Sequence, residues 1–542
     1  MKEFPCGCKF ETNENGKVIF DPNIEKLPKD CSATWKMLCD GNVKGVFQLE
    51  KQSDNTIKVQ PNSIEELSDL IAIIRPGVTQ AFLDGKSLTN HYIDRKHHRD
   101  EIKYLHKSLE PILKSTQGIL CYQEQTIKIA KDIAGSSLQE ADILRKAIGK
   151  KDVKLMSKVK EDFAKTAEKH GIVNKDDAAE IFSWIEKSQN YSFNKSHSIA
   201  YSLNAYQTAY AKAHFPHAFF TAYLANAVGK PDTYYEISQL VNNARLMNIE
   251  VKPPNIRNMN REFKLIGDNP TFGITDIKKV GGSVFDKMME CMDESKIDIK
   301  KCEWSEFLIV FGPCIKKDSF IALILSGALD CFGLFRTVMQ HEFTVFKELS
   351  KREIPWIQNY KRQNPNAEFS ECLGEMLLHN DWDSKNRPIF RFDRADIIQG
   401  LIDSLHSPGY NLYDNPEWIA RNEQEFLGVS LTCSKVDEYD ISTANCTCKE
   451  IHEGFESTYG IAVAAELLDI REYTIKRGKA KGNKMAFAAI NDGTCTLDNV
   501  VMFSEEYNKY KDKINPKSVY LFRGVRDKKK GSFIIKSIKQ LN

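Results

Sequence analysis

The sequence predicts a multidomain, mainly α-helical protein that closes with a small all-β barrel. Three observations carry this reading. A chain of 542 residues exceeds what one hydrophobic core organises, so roughly three or four domains are expected. Amphipathic helical periodicity dominates from residue 45 to about 250. From residue 456 onward the pattern changes to short β-like segments separated by Gly, Asn and Lys turns.

Composition narrows the class. The chain is 42% hydrophobic and 28% charged, as expected of an ordinary globular protein. Its net charge is only +2, so attraction for nucleic acid must rest on local basic patches. No run of about 18 apolar residues is present, and the N-terminal "MKEFPCGCKFETNENG" has no signal-peptide core. A cytoplasmic protein with no membrane partner is expected.

The fourteen cysteines are scattered, and most read as reduced, buried thiols. Cys6/Cys8 and Cys446/Cys448 form pairs with a single residue between them. Zinc ligands usually stand two to four residues apart and need a second pair. Cys31 and Cys39 lie near Cys6/Cys8 but match no common spacing, so no metal site is assigned.

Along the chain, residues 1–44 read as irregular, with one amphipathic stretch, "CSATWKMLCDGN". "SIEELSDLIAIIRPG" starts with Ser63 followed by Glu66, a capping box, and stops before Pro76. "SSLQEADILRKAIGKK" repeats the device with Ser137 and Glu140, and Gly149 closes it. On its wheel Ile143, Leu144, Ala147 and Ile148 share one face, while Asp142, Arg145, Lys146 and Gly149 share the other. "VKPPNI" (251–256) is a breaker and a domain boundary. "FGITDIKKVGGSVFDKMMECM" reads as a short helix, a glycine turn and a second helix, and "DSFIALILSGALDCFG" has the same outline. Residues 334–450 are mixed and polar. The final segments, "YGIAVAAELLDIREYTI", "NKMAFAAIND", "TLDNVVMFS", "KSVYLFRGVRD" and "GSFIIKSIKQL", are five strands, for which an oligonucleotide-binding (OB) barrel is the best-known arrangement.

Three stretches point to chemistry. Residues 143–160 hold seven Lys or Arg against one acid, Asp152. Such a run is commonly a solvated face, but Arg and Lys are also the groups that hold phosphate. "NYSFNKSHS" (190–198) gathers aromatic, amide, cationic and hydroxyl groups just before a long helix. Its plain reading is a capped helix start, with Asn194 or Ser196 accepting from free N–H groups; its sharper reading is a grip on a polyanion beside a base. "GGSVFDKM" sets two glycines before a helix, which lets backbone approach a phosphate closely.

Together these segments resemble the C-family DNA polymerases of bacteria and phages, the family of the DNA polymerase III alpha subunit. The resemblance runs from about residue 28 to the C-terminus. It rests on "GVFQLE", "LIAIIRPG", "HYIDRKH", "ILCYQEQTIKIAKDIAG", "EADILRKAIGKK", "YSFNKSHSIAYSLNAYQTAYAKAHFP", "VKPPNI", "FGITDIKKVG", "SGALDCFG" and "EQEFLGVSL", in that order. It implies a palm–fingers junction at 1–44, fingers at 45–255, tandem helix-hairpin-helix elements at 256–335, a clamp-proximal linker at 336–455 and an OB domain at 456–542.

By the same resemblance the incoming dNTP meets Arg75, Arg145, Lys146, Lys150, Lys151, Tyr191, Asn194, Lys195 and His197, with Arg145 on the triphosphate and Tyr191 beside the nascent base pair. The family usually has Arg where this chain has Lys146. Primer–template DNA is expected at Lys278, Lys279, Gly281 and Gly282, and at Lys476, Arg477, Lys479 and Lys481. The family's "PDxDxD" palm carboxylates, which hold Mg²⁺, have no counterpart here, and Asp381 and Asp383 in "NDWDSKN" read as surface. The expectation is therefore one half of a split replicative polymerase, in a bacterial or phage-infected cell. Catalytic residues and Mg²⁺ would reside on a companion subunit bearing the palm and the polymerase-and-histidinol-phosphatase domain. A sliding clamp would meet "QGLIDSL" (399–405). The alternatives are a non-catalytic DNA- or clamp-binding accessory and a single-stranded-DNA-binding protein.

Overall fold

The computed structural model describes residues 1–150, 153–188, 192–378, 394–476, 478, 480–527 and 531–541. Tyr191, Lys151, Arg477, Lys479, Asp381 and Asp383, and the side chain of Lys150, lie outside the described residues. The chain divides into two compact units, Met1–Pro216 and His217–Asn542.

The first unit opens with an antiparallel sheet of β1 (Lys2–Glu3), β2 (Lys9–Thr12) and β3 (Val18–Ile19), in the order β1-β2-β3. Irregular chain was expected there. Strands of two to four residues leave no alternation to read, and the register comes from turns such as Asn13–Gly16. A small hairpin, β4 (Phe82–Leu83) with β5 (Lys86–Ser87), follows later.

The helix Ile64–Ile73 begins where expected. Ser63 Oγ accepts from the Glu66 N–H at 3.2 Å, but the Glu66 carboxylate takes the Asn62 N–H at 2.9 Å, so only half of the box forms on Ser63. Every side chain from Leu67 to Ile73 is buried, because this helix packs on the long helix Lys195–His214. Their shared core includes Leu70, Ile73, Ala205, Ala209 and the rings of Tyr92, Tyr122, Tyr206 and Tyr210. A second core gathers Leu113, Ile129, Leu144, Phe163, Phe182 and Ile185. On the helix Leu138–Lys150 the Ser137/Glu140 box is complete. Ile143, placed by its wheel on the apolar face, is 45% exposed; it lines an open groove with Val159 and Phe163 rather than the core.

In the second unit one large core joins Phe220, Leu240 and Val241 to Phe272, Phe307, Phe343 and Leu427. The helix Thr233–Leu246 thus shares its core with the glycine-turn region that follows "VKPPNI". A hairpin, β6 (Lys264–Ile266) with β7 (Asn269–Thr271), leads in. The short helix expected next is a single 3₁₀ turn, Ile274–Asp276, because Asp276 folds back to accept the Gly273 N–H at 2.9 Å. The helix Gly282–Ser295 then runs as expected. Cys291 and Cys314 are joined as a disulfide, and twelve cysteines are free.

The motifs "SGALDCFG" and "EQEFLGVSL" meet on one buried arginine. Arg336 reaches Asp330 Oδ2 at 2.6 Å, Glu423 Oε1 at 2.8 Å and the Leu325 carbonyl at 3.1 Å. Glu423 also accepts the Leu431 and Thr432 N–H groups. Gly327 (φ +81°) must lack a side chain, since a Cβ there would lie 2.4 Å from Arg336. "QGLIDSL" is helical within Ala395–His406, with Ile398 and Ile402 turned into the core.

The C-terminal barrel is closed and five-stranded, as expected. It comprises β8 (Ile461–Thr474), β9 (Lys484–Asn491), β10 (Thr496–Met502), β11 (Val519–Arg526) and β12 (Phe533–Gln540), in the order β10-β12-β11-β8-β9. Among the described residues its one parallel pairing, Val500 on Phe533, shuts the barrel. Its interior holds Val463, Ala486, Ile490, Phe522 and Phe533. A helix, Ser504–Tyr510, spans β10 to β11 where only a turn was expected.

Candidate nucleotide and nucleic-acid interface

The segment that begins the long helix Lys195–His214 is pinned before the helix starts. The Phe193 N–H donates to the Cys121 carbonyl at 2.7 Å and its carbonyl accepts the Gln123 N–H at 2.9 Å, a parallel bridge to "CYQEQ". Asn194 is the cap: its Oδ1 accepts the His197 N–H at 2.8 Å. The Lys195 N–H donates to Glu124 Oε2 at 2.9 Å. The plain reading of the segment, a capped helix start, is therefore correct.

The expected side chains gather on two rings, Phe193 and Tyr122. The Arg75 guanidinium lies 4.3 Å from the Phe193 ring centroid, a cation–π stack. The His197 ring meets the Phe193 edge at 5.4 Å and the Tyr201 ring at 4.0 Å. Lys195 Nζ stands 5.5 Å over the Tyr122 ring. Arg75, Asn194 and His197 are exposed and Lys195 is half-buried. Two cations, an imidazole and aromatic faces thus form a continuous polar wall.

Beneath it lies a group that sequence reading missed. Asp69 is buried and accepts from the Tyr122 hydroxyl at 2.8 Å and the Tyr92 hydroxyl at 3.0 Å. Ser68 bonds Tyr122, and the Ser198 hydroxyl donates to the Ser68 carbonyl at 2.7 Å. Four motifs, around residues 69, 92, 122 and 198, share this knot. The available signal was an acid inside the apolar run "LSDLIAII". Burial pushes the Asp69 carboxyl up to about 6, against the lowering pull of the two tyrosines.

Folding therefore takes up a proton at Asp69 between about pH 4 and 6, and its contribution to stability declines as pH rises through that window. Asn keeps the shape and one acceptor. Asp69→Asn should abolish that decline, worth about 3 kcal/mol for a shift of about two units; thermal melts of both proteins from pH 4 to 7 check it.

Arg145 and Lys146 stand on the helix Leu138–Lys150, which packs on the helix Gln123–Asp132 that supplies Glu124. Arg145 reaches Asp142 at 2.9 Å and Lys146 reaches it at 2.7 Å. Hydrogen bonds from Lys146 and then Arg145 hold the Asp142 carboxyl below its usual range. These are partly exposed pairs on one helix face, of the kind that adds little to stability. Both cations can turn to a stronger anion at small cost.

In the second unit, Lys278 and Lys279 are exposed and lie over the Tyr234 and Phe426 rings. Gly281 caps the helix Gly282–Ser295 with open space where a Cβ would be, whereas a Cβ on Gly282 would come within 2.5 Å of Arg261. On the barrel, Lys476 and Lys481 are exposed in the β8–β9 loop. The structure adds two residues there: Tyr473 and Phe487, 41% and 40% exposed, meet edge to face at 6.0 Å on neighbouring strands. An exposed aromatic pair beside loop lysines has the chemistry that stacks unpaired bases in single-strand-binding proteins. Phe487→Ala should weaken single-strand binding by about 1–3 kcal/mol while leaving its salt dependence unchanged. Lys481→Ala should lower the salt slope instead; fluorescence titrations over a salt series separate the two.

The acids near the wall do not fit a two-ion magnesium centre. Asp69 is sealed by tyrosines, Glu124 is spent on the Lys195 N–H, and Asp142 pairs with cations. No step through a metal ion is derived from them.

The family model of the bacterial DNA polymerase III alpha subunit finger domain matches residues 9–171, starting well before residue 45. The chain is 29% identical over 533 residues to DNA polymerase III subunit alpha of Pasteurella multocida, covering 94% of this chain and 41% of that protein. The corresponding Buchnera aphidicola protein is 30% identical over 536 residues, covering 95% and 41%. The Escherichia coli protein is 28% identical over 531 residues, covering 94% and 41%. This chain thus spans about 41% of the length of the relatives it matches. Among the described residues no helix is long and apolar enough to cross a membrane. The chain is related over nearly its whole length to the C-family DNA polymerases, and carries the likeness of their finger domain in residues 9–171.

Proposed function

We propose that this chain supplies the nucleotide wall, the duplex-holding region and the single-strand platform of a C-family replicative polymerase. It works with a palm outside these 542 residues, borne on a companion polypeptide, whose carboxylates hold the Mg²⁺ ions. The observation that carries the reading is the wall itself, with Arg75 and His197 against the Phe193 ring and Lys195 over the neighbouring Tyr122 ring. In the proposal Arg145 and Lys146 leave Asp142 for the triphosphate. The wall orients the incoming base pair, and the barrel's Tyr473 and Phe487 guide the unpaired template. Lys278 and Lys279, with the backbone at Gly281, hold duplex phosphates as a helix-hairpin-helix element does. No clamp-binding role is assigned to "QGLIDSL", whose one isoleucine, Ile402, is committed to the core.

Primer extension tests the reading. With Mg²⁺ and dNTPs this chain alone should make no product, and adding a palm-bearing partner should restore synthesis. Robust extension by the chain alone would refute the division of labour. Inertness with every palm partner that binds it would favour an accessory role.

A further inference from the structure

The N-terminal sheet is too small to hold itself together. Its strands have two, four and two residues, and sheets of that size are marginal in water without further support. The support lies at its first turn. Cys6, Cys8, Cys31 and His214 place one donor atom each within 4.8 Å of one another. His214 Nε2 is 3.3 Å from Cys31 Sγ and 3.9 Å from Cys6 Sγ. Tetrahedral zinc with Zn–S about 2.3 Å and Zn–N about 2.0–2.1 Å requires S···N separations of about 3.6 Å and S···S of about 3.8 Å. The two S···N separations bracket the 3.6 Å value, and no donor pair exceeds 4.8 Å.

We propose that Cys6, Cys8, Cys31 and His214 form a structural zinc site that pins the N-terminal sheet to the end of the helix Lys195–His214. The sequence reading assigned no metal there. Of the two cysteines that the sequence set beside Cys6/Cys8, Cys31 joins the cluster, whereas Cys39 faces the Pro61 carbonyl. The single-residue spacing works because Gly7, at φ +85°, turns the chain so that both flanking sulfurs face one point. Cys8, Cys31 and His214 are buried and Cys6 is half-buried, and four protein donors close the shell, which marks a structural rather than a catalytic zinc. Three thiolates and an imidazole select zinc over hard cations. Phe4, Phe10 and Tyr210 surround the imidazole at 5.4, 5.3 and 4.3 Å and fix its plane. The site is independent of the polymerase reading.

The test is metal analysis of the purified full-length chain. About one zinc per chain is expected, and exchange with Co²⁺ should give the visible absorption of a tetrahedral, thiolate-rich site. Cys31→Ser should lower the zinc content at least tenfold, and Cys39→Ser should leave it unchanged. A helical, folded wild-type chain that binds neither Zn²⁺ nor Co²⁺ would overturn the proposal, and so would zinc retained in Cys31→Ser. Because the wild-type cobalt spectrum needs no variant, misfolding of Cys31→Ser leaves the test intact.

Discussion

Arg336→Met should destabilise residues 217–542 by about 3–5 kcal/mol, the usual consequence of removing one member of a buried ion pair. Arg336 is 2% exposed and Glu423 fully buried. Without the guanidinium, Glu423 keeps three donors, from Leu431, Thr432 and the Thr432 hydroxyl, but loses the charge that balances it. Asp330 loses a two-pronged partner at the same time. Urea denaturation followed by far-ultraviolet dichroism measures the loss. The double change Arg336→Met with Glu423→Gln should recover part of it, since the uncompensated charge is then gone. A single variant with an unshifted midpoint would show that the network does not hold the unit together.

Arg145→Ala, assayed with a palm-bearing partner, should lower kcat/KM for dNTP by about 10²–10³, the size expected when a preorganised cation is removed from developing phosphate charge. Affinity for primer–template should change by no more than about twofold, because one phosphate contact carries little of a many-contact interface. The fold should be unaffected, since Arg145 gives up only a partly exposed pair with Asp142. Single-turnover incorporation and a gel-shift titration on the same preparation provide the two numbers. Equal losses in both would remove Arg145 from the triphosphate and return it to general DNA contact.

Much of the architecture was legible because its signals are local. Ser63 and Ser137 mark helix starts within four residues, and each of the five barrel strands carries its own pattern between turns. The small sheet at the N-terminus was not, because two-residue strands have no pattern. The 3₁₀ turn at Ile274 was mistaken for a helix because Asp276, which looks like an ordinary helical acid, folds back on Gly273. The wall residues Arg75, Lys195 and His197 were readable by motif, yet the Asp69 knot beneath them joins segments far apart in sequence. The same holds for the metal cluster: 183 residues separate Cys31 from His214, and no spacing rule spans that distance.

The helix Lys195–His214 is a rod of twenty residues, about 30 Å long. Its first turn carries Lys195 and His197, and its last residue meets the cysteines. Any tilt at the cysteine end is therefore magnified across the rod, and about 5° there displaces Asn194 by about 3 Å, enough to take a cation out of reach of a phosphate. If the cysteines hold zinc, oxidants or chelators acting there would in that way move Lys195 and His197 without touching them.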